Sequence, residues 1–175
     1  MNASAAVTTY QGLFDHSDQA AIQADLRAYF GPNADRFIAL YEKMRGREPA
    51  KRFGARSWNW PAFFLTFVWF FYRRQWVYGI GVIVLNLVLA FVAGSAAGAI
   101  VGGMCGILAN TLYVQKAMMA VAAADQAGLA GEARVAQLQA AGGVSKLAGG
   151  IAGFVLAALM ALAVIGAVAG QQAAG

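Results

Sequence analysis

The chain has 175 residues, 60% of them apolar and only 12% charged, against about 45–50% and 25% in ordinary soluble domains. That is too little polar surface to coat a water-soluble globule of this size. The net charge of +5 is scattered rather than gathered into a stripe, which excludes a nucleic-acid-binding face and suits anionic lipid headgroups.

The charge is unevenly placed. Residues 1–57 hold eight of the thirteen Lys/Arg and six of the eight Asp/Glu, so a polar head precedes an apolar body. Residues 1–11 contain neither a basic n-region nor an apolar h-region, so no secretory signal is expected and the later spans serve as insertion signals. Residues 1–16 read as an irregular, polar run over the surface. Ser17 is placed to cap a first helix in which Ile22, Leu26, Tyr29 and Phe30 share one face, and Gly31 stops it. Pro32 suits the first turn of a second helix, with Phe37, Tyr41 and Met44 along one side and Gly46 at its end. Helices this short need a surface to cover. A basic linker with Arg47, Lys51, Arg52 and Arg56 closes this head at residue 57.

Residues 58–74 follow as a run of aromatic residues ending in Arg73-Arg74, with Pro61 near its start and Ser57 or Asn59 near the cap. From Pro61 to Arg73 a helix covers about 18 Å, short of a hydrocarbon core of about 30 Å. Continuing it through both arginines would place them near mid-membrane at roughly 2.5–3.5 kcal/mol each. All four tryptophans lie between Trp58 and Trp76, where headgroup-level residues belong. One shallow interfacial helix is therefore predicted, anchored by Trp58, Trp60, Trp69, Arg73, Arg74 and Trp76. It is apolar almost all round, so the two head helices are expected to fold back over it as a cap.

Three spans come next. Residues 76–114 form a hairpin of two, about 76–93 and 98–114, around a charge-free turn at 94–97. Residues 115–146 are an Ala-rich cytoplasmic segment with Gly128, Gly131 and Gly142-Gly143 as breakers. Residues 147–169 are the third span, and 170–175 a periplasmic tail. The prediction is thus an all-α polytopic membrane protein with three transmembrane helices, an interfacial helix and a helical cap. With residues 58–72 on the near side, every Lys and Arg is cytoplasmic, as the positive-inside rule asks.

Gly94, Gly98, Gly102, Gly106 and then Asn110 recur at a strict period of four, a smooth groove that lets another backbone approach. Ile80, Val84, Val88 and Val92 form the ridge expected to face it across the hairpin. Two further readings are a glycine zipper that docks a partner or second copy, and a pore lining. Gly149 and Gly153, continued by Ala157 and Ala161, form a second small-residue ridge. Asn86 and Asn110 read as interhelical hydrogen-bond glue.

No Asp, Glu, His, Lys or Arg lies inside a span, although proton relays and coupled transporters need such a group. His16 stands alone, and Cys105 sits in an apolar run as a packing residue. Without a nucleotide-binding, hydrolase or metalloprotease motif, no catalytic residue, metal or cofactor is expected.

Tyr29-Phe-Gly-Pro-Asn-Ala34, the following residues 37–44, Ser57-Trp-Asn-Trp-Pro-Ala-Phe-Phe64 and Trp69-Phe-Phe-Tyr-Arg-Arg74 together resemble the bacterial domain-of-unknown-function 2628 family. The resemblance covers roughly residues 25–114 and implies a small inner-membrane protein, with no activity to carry over. The sequence departs from the family pattern at Pro61, where Ala is usual, and at Leu65-Thr66, where Gly-Pro is common. The expected role is a non-catalytic accessory, assembly or scaffold subunit on a larger inner-membrane complex. The alternative is a homo-oligomeric channel or small transporter built on the glycine helix. Expected partners are membrane lipids and a membrane protein or second copy, and no nucleic acid.

Overall fold

The structure, a computed structural model, describes residues 10–55 and 57–174. Residues 1–9, Arg56 of the linker and Gly175 of the tail lie outside the described residues. Among the described residues all regular structure is helical. Residues 10–15 form a helical turn that places Tyr10, Leu13 and Phe14 in the core. This part of the N-terminal run is therefore core rather than irregular surface, because Phe14 stacks on Tyr41 with ring centres 5.4 Å apart.

Helix α1 (Gln19–Phe30) opens where the Asp18 carboxylate accepts from the Ala21 amide at 2.9 Å. The cap falls one residue after the expected Ser17. Gly31 ends the helix with φ 65°, and Asn33, at φ 69°, turns the chain into α2 (Ala34–Arg45). The Tyr41 hydroxyl donates into the N-terminal turn and burial pushes its phenol up to about 12. A short 3₁₀ segment (Pro49–Gly54) brings Arg52 over the Phe14 ring, where it pairs with Asp15 at 2.6 Å and holds that carboxyl below its usual range.

The aromatic run is not one helix. It forms α3 (Trp60–Leu65) and α4 (Phe67–Tyr72), broken at Thr66 with φ 41° and ψ −114°. A β-branched residue rarely takes that conformation, and here it aims the two halves at different neighbours: α3 at α6 and α4 at α8. Helix α4 closes with the Gln75 amide donating to the Phe70 carbonyl (2.8 Å), the Arg74 amide donating to the Phe71 carbonyl (3.0 Å), and Arg74 at φ 56°.

Then come α5 (Trp76–Ala93), a tight turn opened by Gly94 at φ 55°, α6 (Ala97–Gln126), α7 (Gly131–Ala141) and α8 (Lys146–Ala174). Among the described residues α5, α6 and α8 contain the three segments long and apolar enough to cross a membrane.

Helix α6 does not stop near Val114. It runs on to Gln126, and Tyr113, Ala117, Met118, Val121 and Ala124 are fully buried there beneath α1, α2 and α7. The Ala-rich segment is therefore the spine of the head, because alanine side chains are small enough to let α1 and α2 close on it. The apolar stripes of α1 and α2 pack on this spine and on each other, and α1 packs on α7 as well. Phe37 also reaches the aromatic run, through Arg73. Arg134 ties α7 to the head, bonding Asp25 at 2.6 Å and Asp125 at 2.7 Å. Gly142 lets the Tyr29 carbonyl approach where any side chain would collide, and the Gly143 amide donates to that carbonyl at 2.7 Å.

Candidate functional site

The period-four glycines divide into two groups. Beside Gly94 and Gly98 there is open space. At Gly102 a Cβ would lie 2.8 Å from the Phe63 carbonyl oxygen, and at Gly106 it would lie 3.1 Å from the Trp58 ring. The groove is thus filled by α3 and its lead-in. The expected ridge does not fill it: Ile80, Val84, Val88 and Val92 are all more than half exposed. The reason is a competing fit, since a short helix entered through Asn59 carries polar groups that the valine ridge lacks.

Those groups close a buried network. The Asn59 amide nitrogen Nδ2 donates to Asn110 Oδ1 at 2.7 Å, and Asn110 Nδ2 donates to Ser57 Oγ at 2.9 Å. The Asn59 backbone N–H donates to the Gly106 carbonyl at 2.9 Å, while its Oδ1 caps α3 by accepting from Ala62. Thr111 Oγ1 donates to the Ala55 carbonyl at 2.9 Å. In an apolar surrounding each unpaired amide would cost on the order of 1–3 kcal/mol, so the network fixes both the position and the direction of α3.

On α8, Gly149 and Gly153 receive α4. A Cβ at Gly149 would lie 2.9 Å from Tyr72 Cδ2, and one at Gly153 would lie 4.0 Å from Val68. The Ser145 amide donates to the Tyr72 carbonyl at 2.7 Å, and Ser145 Oγ accepts from the Ala148 amide in the first turn of α8. Lys116 Nζ donates to the Arg74 carbonyl and Arg74 Nη1 to the Ala140 carbonyl, each at 2.7 Å. The loop after α4 is thereby tied to α6, α7 and the start of α8.

The expected anchors also divide. Trp58, Trp60 and Trp76 are exposed, and Arg74 is half-buried. Trp69 and Arg73 are buried within the protein instead, because the turn at Thr66 rotates α4 inward. Trp69 meets the edge of Tyr113 with ring centres 6.0 Å apart. Tyr29, Phe30 and Phe37 also surround Tyr113, at 5.7, 5.3 and 4.9 Å. That hub escaped sequence reasoning, since Tyr113 reads there only as the end of a span.

Arg73 lines a cavity of about 650 Å³ between the head, α3, α4 and the start of α8, together with Arg36 and Lys146. Among the described residues none of these three cations has a carboxylate within salt-bridge distance, and no carboxylate lines the cavity. Such a constellation offers positive charge and hydrogen-bond donors.

No family model matches the chain, and neither a curated protein nor a solved structure is significantly similar to it.

Proposed function

We propose that this chain is a non-catalytic accessory or assembly subunit that docks by helix packing onto a larger protein complex of the bacterial inner membrane. The observation that carries this reading is α8. Phe154, Leu159, Met160, Leu162, Val164 and Ile165 are each more than half exposed, and α8 meets the rest of the chain chiefly through α4. The head has its own aromatic core while α8 keeps a long apolar face free, which supports packing against a partner helix within the membrane. The homo-oligomeric channel reading loses support from the groove. Gly102 and Gly106 already hold α3, which leaves Gly94 and Gly98 for a second copy.

Gentle-detergent extraction and native mass spectrometry test the proposal. Foreign subunits at fixed stoichiometry are expected; a bare monomer or a ring of this chain alone overturns it.

The orientation forms part of the proposal. The head, Arg74 and Lys116 face the cytoplasm, the turn at 94–97 faces the periplasm, and α3 and α4 rest at headgroup level with Trp58, Trp60 and Trp76 outward. The inner-membrane assignment draws on the resemblance in the aromatic run. Reporter fusions after Arg74 and within residues 126–134 are expected to read cytoplasmic, and one at Ser95 periplasmic. A periplasmic reading after Arg74 would show that residues 58–72 cross.

A further inference from the structure

We infer that the cavity between the head, α3, α4 and α8 binds a phosphate-bearing anion, namely the headgroup of an anionic membrane phospholipid. The first argument is charge. Arg36, Arg73 and Lys146 converge on the cavity from α2, the end of α4 and the start of α8, and no carboxylate lines it. Helix α8 adds the positive end of a 29-residue dipole.

The second argument is independent of the charge count. Arg73 is only 8% exposed, and its Nε and Nη1 have no hydrogen-bond partner. Its guanidinium carbon lies 4.9, 5.1 and 5.9 Å from the ring centres of Phe37, Tyr113 and Tyr72. Those faces attract a cation but leave its charge without a counter-ion. A buried guanidinium with free donors is costly unless an anion completes it, and its planar fork matches a phosphate.

The third argument chooses the source. The volume falls within the range of about 300–1,000 Å³ typical of small-ligand sites. Beside the cations and the polar Asn33 and Asn59, the rest of its floor is mostly apolar, with Pro61, Leu65, Val68 and Gly149. A soluble phosphate has no use for that floor, whereas the glycerol and first acyl carbons of a phospholipid do. The inference rests on the spans lying in a bilayer and is independent of whether they hold a protein partner.

The test uses the full-length chain in mild detergent, titrated with phosphatidylglycerol or with phosphatidylcholine and read by native mass spectrometry. One phosphatidylglycerol is expected to be held roughly tenfold more tightly than phosphatidylcholine, and Arg36→Gln with Lys146→Gln, both exposed positions, is expected to abolish that preference. Lys51→Gln, which removes one positive charge outside the cavity, is expected to leave it intact. Arg73→Gln is read by thermal melting: without lipid it melts no lower than the wild type, and it loses the rise that phosphatidylglycerol produces. Inorganic phosphate forms a separate arm. Protection by millimolar phosphate without preference between the lipids overturns the lipid source and assigns the cavity to a soluble phosphate. A preference that survives the double variant, or falls equally with Lys51→Gln, overturns the site itself.

Discussion

Helices α6 and α8 both carry glycines four residues apart, and each receives half of the aromatic run, yet they hold it by different means. On α6 the contact is locked by polar groups, with Asn110 in register with Gly102 and Gly106 and bonded to Asn59 and Ser57. On α8 the glycine contacts are steric, Tyr72 over Gly149 and Val68 near Gly153, and no polar side chain follows Lys146 until Gln171. Glycine spacing therefore states where a backbone can come close. A polar side chain in the same row selects which segment comes, because a partner without matching donors would leave the amide unsatisfied. The valine ridge of α5 lacks such groups and loses the groove to α3.

Breaking the α6 side of this comparison gives the largest effect. Gly102→Leu drives a side chain into the Phe63 carbonyl, which is backbone and cannot swing aside. Helix α3 must leave the groove, at a cost of about 3 kcal/mol or more. Gly98→Leu, beside open space, is expected to stay within about 0.5 kcal/mol of the wild type. Thermal unfolding in detergent reads both, and equal tolerance would show that α3 does not occupy the groove.

Asn110→Leu comes next. It keeps the number and branching of side-chain heavy atoms but strands the Asn59 amide, and the expected loss is about 1–3 kcal/mol. A double-mutant cycle with Asn59→Ala isolates the side-chain bond from the cap that Asn59 also gives α3. A coupling of about 0.6–1.7 kcal/mol is expected; additive losses would mean that the two amides act separately.

Much of this was legible in the residues, and the failures have physical causes. The period of four and Asn110 pointed to a close-packed groove, and the apolar lengths to three membrane-length helices. The break at Thr66 was not legible, because a positive φ at a threonine is imposed by packing on both sides and leaves no local mark. Everything that depends on the break was missed with it: α3 in the α6 groove, and Trp69 and Arg73 turned inward. The extension of α6 to Gln126 was hidden by composition. Alanines read as a spacer when they are in fact the face on which α1, α2 and the Tyr113 ring cluster assemble.

The smallest effect sharpens the α8 side, where the glycine contacts are steric and should be graded by distance. At Gly149 an added Cβ would sit 2.9 Å from the Tyr72 ring and 3.1 Å from Tyr72 Cβ. The ring end can rotate, but Tyr72 Cβ is fixed to α4, so the helices must part by a few tenths of an ångström. Against that strain stands a gain of about 0.8–1.0 kcal/mol for Ala over Gly within a helix. Gly149→Ala is thus expected to be destabilising by only about 1 kcal/mol. One turn on, a Cβ at Gly153 would stand 4.0 Å from Val68, an ordinary contact, so Gly153→Ala keeps the helical gain and is expected to stabilise by about 0.5–1 kcal/mol. Opposite signs at two glycines on one face, measured by unfolding in the same detergent, are what steric grading requires. A loss at Gly153 as large as that at Gly149 would mean that α4 and α8 are clamped along their whole contact, as α3 and α6 are.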